Sequence, residues 1–178
     1  MRNLSQNEIE NFISKTVKDS LRNKKKIEKP EDVTTKGGHY VILCDQPVPS
    51  GADSDGSDVM IGDYYVWYNG TKSGSIRSRI KDHLFREREK RVKPGMSNGI
   101  RISRYPLACL EQKTQNYKVC PDNPRQVWQL GIDIREPQWG YYDFYLAVTE
   151  TDGLLDSPIE QVFRKIFGKP PLCKSSVR

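Results

Sequence analysis

The stretch YNGTKSGSIRSRIKDHL, residues 68–84, joins the end of a strand-like run to a helical pattern, and the fold can be built outward from it. Apolar residues recur there at four-residue intervals, which predicts a helix that begins after Ser75. These apolar positions are Ile76, Ile80 and Leu84. Arg79 and His83 are also four residues apart, so they project from one face of the helix. The pair belongs either to a solvated basic face or to a functional site.

Two strands are predicted before this helix. The run HYVILCD, residues 39–45, is short, apolar and rich in β-branched residues, which is typical of a buried strand. The run DYYVWYN, residues 63–69, predicts a second strand that leads into the helix. The segment between the two runs is rich in Pro, Gly, Ser and Asp, so we expect a surface loop there.

One more strand and one more helix are predicted near the C-terminus. In YYDFYLAVT, residues 141–149, alternate apolar side chains predict a strand with one buried face. In DSPIEQVFRKIFG, residues 156–168, capping residues precede an apolar stripe, and Gly168 can end the helix. The predicted stripe is Ile159, Val162, Phe163 and Ile166. Between residues 91 and 140 the pattern is irregular, and at most one helix is predicted, over residues 125–130.

The chain begins with a predicted amphipathic helix over residues 5–22, in which Ser5 and Glu8 have the spacing of a capping box. The core order β-β-α-β-α then predicts an α+β fold with a long insert before the third core strand. A chain of 178 residues fits a single domain. The predicted parts of residues 1–178 are an N-terminal helical arm (1–35), a core (36–90 and 140–170) and an insert (91–139).

Basic residues are concentrated in one part of the chain. The formal net charge is +6, and residues 72–104 contain eleven lysines and arginines against three acidic residues. This concentration indicates an anionic partner such as nucleic acid. Four widely spaced cysteines and two histidines argue against a structural zinc site. Because no apolar run could span a membrane and no signal-peptide region is evident, we expect a cytoplasmic protein.

These elements and residues resemble the GIY-YIG nucleases, whose small catalytic domain has the same order of strands and helices. GHY, residues 38–40, stands for the first motif, and YNG, residues 68–70, stands for the second. In the family the next helix carries an arginine, often followed one turn later by a histidine or tyrosine, which matches Arg79 and His83. A later helix of the family carries a metal-binding glutamate, and Glu160 stands in that place.

The resemblance covers roughly residues 36–88 and 140–168, and the chain departs from the family pattern in three places. His39 and Asn69 replace aliphatic residues, so we expect these strand positions not to be fully buried. The loop between the motifs is long, as in the restriction enzymes of the family. No asparagine follows the last helix, because residues 171–175 read PLCKS.

The resemblance implies a Mg²⁺-dependent endonuclease that hydrolyses phosphodiester bonds of double-stranded DNA. Tyr40 would be the general base, assisted by Tyr68, and Arg79 together with the metal would favour its phenolate form. Arg79 would also bind a phosphate oxygen. His83 would hydrogen-bond the attacking water or Tyr40. Glu160 would bind a single Mg²⁺ ion together with water and phosphate oxygens.

Further basic residues are candidates for DNA contacts. They are Lys72, Arg77, Lys81, Arg86, Arg88, Arg101 and Arg104. A small nuclease without a separate DNA-reading module indicates a restriction or phage-type enzyme. One active site with one metal cuts one strand, so a double-strand cut at a symmetric site requires a homodimer on the DNA.

Three alternatives stay open at this point. The chain could be a non-catalytic, basic nucleic-acid-binding module with the same fold. Arg101 and Tyr105 repeat the spacing of the arginine–histidine pair, so the insert could carry the functional helix instead. Glu160 also has capping-box spacing from Ser157, which would stabilise the start of the helix without any metal.

Overall fold

The computed structural model describes residues 5–48, 57–85, 90–92, 119–120, 123–129, 132–151 and 156–173. Three α-helices lie in these ranges: α1 (Gln6–Arg22), α2 (Ile76–Leu84) and α3 (Asp156–Phe167). The strands are β1 (Lys25–Lys26), β2 (Gly38–Cys44), β3 (Val59–Ile61), β4 (Tyr64–Lys72), β5 (Lys90–Val92), β6 (Val119–Cys120), β7 (Asn123–Gln129) and β8 (Phe144–Glu150). Short 3₁₀-helices span Pro30–Asp32 and Pro137–Trp139. No helix within these ranges is long and apolar enough to cross a membrane.

The core is a five-stranded antiparallel sheet with the order β1-β8-β2-β4-β3. Strand β2, which carries the GHY motif, pairs with β4 on one side and β8 on the other. The α+β class and the five core elements are therefore confirmed, as is the Ser5–Glu8 capping box of α1. The sheet also contains β1 and β3, which the sequence did not predict.

The insert contains a second sheet. Strands β5, β7 and β6 pair antiparallel in that order. The helix predicted over residues 125–130 is wrong, because β7 covers most of that range. The strand forms by pairing with residues distant in the chain, and local periodicity contains no information about such partners.

The helices cover both faces of the five-stranded sheet. On the α2 face the buried cluster includes Tyr40, Ile42, Trp67, Ile76, Ile80 and Phe144. On the opposite face α1 and α3 contribute to a cluster that includes Ile13, Val17, Val41, Leu43, Ile159 and Phe163. Full burial of each large apolar side chain contributes about 1.5–3 kcal/mol. Ile166 was predicted to be buried with the α3 stripe, but it is 38% exposed, and the next residue, Phe167, packs against this cluster instead.

A β-bulge in β4 changes the direction of one side chain. Ile42 pairs with Tyr68, whereas the next residue, Leu43, pairs with Val66. Trp67 is therefore an extra residue, and both Trp67 and Tyr68 pack on the α2 face although they are adjacent in the chain. Without the extra residue, strict alternation would direct Tyr68 to the opposite face.

His39 and Asn69 are fully buried, so the expectation that these polar residues would be partly exposed is wrong. The physical reason is that α3 covers this part of the sheet, and the His39 ring lies 5.7 Å from the Phe163 ring between centroids. Among the described residues, neither nitrogen of the His39 ring has a hydrogen-bond partner. Burial lowers the pKa of His39 to about 3, so the imidazole is neutral at physiological pH.

His39 is expected to make the folded protein sensitive to acid. Its pKa is about 3 in the folded state and about 6.5 in an unfolded chain, so the unfolded state binds the extra proton between these values. Stability is fully present above about pH 6.5, and the free energy of unfolding falls by about 1.4 kcal/mol per pH unit below it. We expect His39→Leu to remove this loss. Urea unfolding of both proteins at neutral and acidic pH measures it, and an unchanged pH dependence would contradict the assignment.

Candidate active site

Two tyrosines from adjacent strands lie side by side on the α2 face. The rings of Tyr40 and Tyr68 are stacked with centroids 6.0 Å apart. Gly70, the register partner of Tyr40, leaves room for both rings. A Cβ atom at Gly70 would lie 2.8 Å from Tyr68 Cε1 and 3.0 Å from Tyr40 Oη. The glycine of YNG is therefore required by this close approach.

Helix α2 brings Arg79 and His83 onto the tyrosine pair. His83 Nε2 lies 3.0 Å from Tyr40 Oη, and the His83 ring centroid lies 5.2 Å from that of Tyr68. The half-buried Arg79 guanidinium lies close enough to Tyr40 to oppose the rise that burial causes in the pKa of its hydroxyl. The Tyr40 hydroxyl can donate its own proton to a neutral His83. The structure therefore brings four of the five predicted site residues into one cluster.

Both tyrosines are held in the phenol form in the free protein. Burial raises the pKa of Tyr40 well above its ordinary value, the charge of Tyr68 adds to this, and Arg79 acts in the opposite direction. Burial likewise raises the pKa of Tyr68 to about 12. The expectation that Arg79 favours a Tyr40 phenolate is correct in direction, but desolvation outweighs it in the metal-free protein.

Glu160 approaches the cluster from the opposite side of the sheet. Strand β3 pairs with the first three residues of β4. The chain after α3 contacts the next part of the same edge of β4. There the Leu172 backbone N–H donates to the Trp67 carbonyl at 3.2 Å. Burial raises the pKa of Tyr68, and the charges of Cys173 and Glu160 add to this effect. The Glu160 carboxylate therefore lies within electrostatic range of the tyrosines.

Glu160 forms an ion pair with Arg164, one turn later on α3. Arg164 Nη2 lies 2.6 Å from Glu160 Oε1, and the side chains are only 14% and 17% exposed, respectively. Burial raises the pKa of Glu160, while Arg164 opposes the shift. The alternative role of Glu160, a capping box with Ser157, depends on the Ser157 side chain, which lies outside the described part of the structure.

Cys173 belongs to the site although the sequence analysis did not select it. The Asn69 N–H donates to Cys173 Sγ at 3.3 Å, and the thiol lies 3.3 Å from Asn69 O and 3.2 Å from Asn69 Oδ1. Burial raises the pKa of the thiol to about 11, although the Asn69 N–H and the nearby Arg164 charge act to lower it. Cys173 thus connects the segment after α3 to the strand of the YNG motif. The signal that could have found it was its position after the last helix, where several members of the family that the sequence resembles have an asparagine.

The predicted DNA contacts lie in different environments. Lys72 is exposed at the end of β4, and Lys81 is half-buried on α2. Arg77 donates through Nε to the Val33 carbonyl at 2.7 Å and through Nη2 to the Glu31 carbonyl at 3.2 Å, so it anchors the N-terminal segment. The other predicted contacts and the rival pair lie outside the described residues: Arg86, Arg88, Arg101, Arg104 and Tyr105.

The donor set at Glu160 fits a divalent cation held by one carboxylate. No group of three or more His, Cys, Asp or Glu side chains suited to a metal occurs in the described ranges. Mg²⁺ is commonly held through one or two carboxylates, with water and phosphate oxygens as its other ligands. Glu160 supplies one such carboxylate, and a bound Mg²⁺ ion would compete with the Arg164 guanidinium for Oε1.

Comparisons of the chain with protein-family models, curated proteins and solved structures found no match. Interpretation of the site therefore depends on its own contacts. Those contacts join Tyr40, Tyr68, Arg79 and His83 directly. Glu160 is connected to them through its charge and through Arg164 and Cys173.

Proposed function

We propose that the protein is a Mg²⁺-dependent endonuclease that hydrolyses phosphodiester bonds of double-stranded DNA on a GIY-YIG-type core. The observation that carries the proposal is the Tyr40 hydroxyl, which lies 3.0 Å from His83 Nε2 and within reach of the Arg79 charge, which acts to lower its pKa against the effect of burial. Support for the type of core comes from the strand order β8-β2-β4, with α2 and α3 on opposite faces.

Proton transfer in this mechanism runs through Tyr40 to His83. The attacking water must lose a proton, and a buried phenol is a poor base while its pKa is raised. The Tyr40 hydroxyl can accept the water proton as its own proton passes to His83 Nε2, over the 3.0 Å contact. His83 is then the final acceptor, and Tyr68 supports Tyr40 by stacking against its ring.

Charge stabilisation in this mechanism comes from Arg79 and Glu160. The Arg79 guanidinium is permanently charged and half-buried, so its donors act strongly on charge that develops on the phosphate. Glu160 would hold the Mg²⁺ ion, which when bound supplies Lewis-acid stabilisation of the phosphate and the leaving oxygen. In the free protein both charged side chains are engaged within the protein, Arg79 with Tyr40 and Glu160 with Arg164.

The biological setting that fits this activity is a cytoplasmic restriction or phage-type enzyme that acts as a homodimer on DNA. The exposed Lys72 lies at the end of the strand that carries Tyr68, where it can contact the DNA backbone. A single site per chain cuts one strand, so two chains are needed for a concerted double-strand cut. Sedimentation with and without a duplex tests this, and concerted breaks made by a monomer would contradict it.

A second candidate function is a basic nucleic-acid-binding module without catalysis. The observation that favours it is the enclosure of the cluster, because Tyr40 is 0% and His83 only 2% exposed in the free protein. Such a module would bind duplex DNA with a strong salt dependence and leave it intact.

Incubation with supercoiled plasmid in Mg²⁺ and in EDTA separates the two functions. The nuclease proposal expects nicked and linear plasmid in Mg²⁺ only. Retarded but intact plasmid under both conditions would support the binding module instead. Arg79→Ala protein purified in parallel controls for a contaminating nuclease.

A further inference from the structure

The side of helix α1 that faces away from the sheet carries a stripe of exposed polar and basic side chains. Four residues recur there at intervals of four, three and four positions, which is the period of one helix face. They are Asn11, Lys15, Lys18 and Arg22, and all four are exposed. The buried residues of α1 pack against the sheet, so the stripe is directed to solvent.

Little of the positive charge on this stripe is neutralised by the residues around it. In the part of the chain that the structure describes, neither Lys15 nor Lys18 forms an ion pair. Arg22 pairs with Asp19 at 3.3 Å, but the two side chains are 79% and 48% exposed, and such surface pairs are weak. Residues 11–26 contain six lysines and arginines and one acidic residue, Asp19. The helix therefore offers an excess of cations to an anionic partner.

The stripe continues into an open groove at the end of α1. Lys18, Arg22 and Lys24 line this groove, which has a volume of about 330 Å³ and reaches the turn between β3 and β4. The Lys24 ammonium lies 4.3 Å from the centroid of the Tyr64 ring, and this contact holds it at the wall of the groove. Asp63 is the one acidic residue among the described residues of the lining, so basic side chains predominate there as well.

We propose that the α1 surface, formed by Lys15, Lys18, Arg22 and Lys24, binds the phosphate backbone of a second DNA duplex. From Lys15 to Arg22 the helix rises about 10 Å, a length over which one strand of a duplex presents about three phosphates. Helices α1 and α2 pack on opposite faces of the sheet, so a straight duplex at the tyrosine pair cannot also follow α1. The inference goes beyond the proposed nuclease function, since it requires no cleavage.

A duplex fits the α1 surface better than an anionic membrane, which would offer the same negative charge. A helix that lies in a membrane surface buries an apolar face among the lipids. The apolar face of α1 is already packed against the sheet. Phe12 is 59% exposed, but it lies about a quarter of a turn away from the basic stripe.

Titration of a short duplex into the protein in EDTA tests the proposal without interference from cleavage. The wild type should bind duplex in two phases, which fluorescence anisotropy follows and sedimentation counts as duplexes per chain. In the double variant Lys15→Gln/Lys18→Gln, the affinity of one phase should fall by at least about tenfold. The slope of log affinity against log salt concentration for that phase should fall by about 2, because two phosphate contacts are lost.

Lys26→Gln/Lys165→Gln is a matched control that removes the same net charge outside the α1 surface. Both lysines are engaged in ion pairs, Lys26 with Asp143 at 2.8 Å and Lys165 with Glu10 at 2.6 Å. Both phases should keep the wild-type affinity within about threefold in this control. An equal loss of affinity in the two double variants would be an effect of net charge and would contradict the proposal.

Asp19→Asn changes the α1 surface in the opposite direction, because it removes the acidic partner of Arg22. The phase that Lys15→Gln/Lys18→Gln weakens should become at least about threefold tighter. This variant also gives the test if the double variant does not fold. Two phases that Asp19→Asn leaves unchanged or weaker would count against the α1 surface.

The remaining outcomes separate this inference from its rivals. A wild type that binds duplex in a single phase would overturn the second surface, whereas plasmid cleavage in Mg²⁺ would still support the proposed nuclease function. Co-sedimentation with phosphatidylserine vesicles tests the membrane. Vesicle binding that Lys15→Gln/Lys18→Gln abolishes, without any change in duplex binding, would overturn the proposal in favour of a membrane.

Discussion

Arg79→Ala is expected to slow DNA cleavage by about 10³-fold or more while the protein stays folded and still binds duplex DNA. Arg79 is the arginine whose charge opposes the rise that burial causes in the pKa of Tyr40, so its loss would remove both a neighbour of the proposed proton-transfer residues and the charge proposed to bind the phosphate. Duplex affinity should fall little, because Arg79 is one of eleven basic residues between positions 72 and 104.

Single-turnover cleavage, thermal unfolding and duplex anisotropy measure the three parts of this result. Arg22→Ala is a suitable control, since it removes a 79%-exposed arginine from the surface of α1. Cleavage by Arg79→Ala at the wild-type rate would remove Arg79 from the active site. If Arg101→Ala were the inactive variant, the functional arginine would lie in the insert.

The second large effect is expected from Glu160→Gln, which should reduce cleavage by at least about 10²-fold because the charge that holds Mg²⁺ is lost. From the sequence alone this near-isosteric change should barely alter stability. The pair with Arg164 changes that expectation, because both side chains are mostly buried. A loss of about 1–3 kcal/mol in the free energy of unfolding is expected, since glutamine can still accept a hydrogen bond from Arg164.

The decisive measurement is therefore the cleavage rate against Mg²⁺ concentration, with both proteins kept well below their unfolding temperatures. The wild-type rate should saturate, whereas the variant should stay slow at every Mg²⁺ concentration. Glu10→Gln controls for the loss of an acidic partner of α3, because Glu10 pairs with Lys165. Superimposable curves for Glu160→Gln and the wild type would leave Glu160 with a structural role only.

Elements whose signals are local could be predicted from the sequence. The capping box of α1, the Ser75 cap of α2 and the glycine after α3 are all present. The spacing of Arg79 and His83 was sufficient to place both side chains on one face, since an α-helix has a fixed period. The α+β class and the order of the core elements followed from these local patterns.

Two strands were not predicted, for different reasons. Strand β3 was included in a predicted loop, although it pairs with β4 across the two residues Gly62 and Asp63, so a hairpin signal in the sequence was overlooked. Strand β7 replaced a predicted helix, because its pairing with β5 joins segments that are far apart in the chain. The burial of His39 and Asn69 was missed for a related reason. A polar residue in a strand is expected to be exposed to solvent unless another element covers it. The sequence does not show that α3 packs over His39, and the structure does.

The sequence by itself determined which residues were available for the site: two tyrosines, an arginine–histidine pair and a glutamate. Only the tertiary structure decided how they meet. The bulge at Trp67 directs Tyr68 to the α2 face, where it stacks on Tyr40. Enclosure by the packed core raises the pKa of both tyrosines despite Arg79. Desolvation and strand register depend on every element that packs around a residue, so neither can be derived from the spacing of residues along the chain.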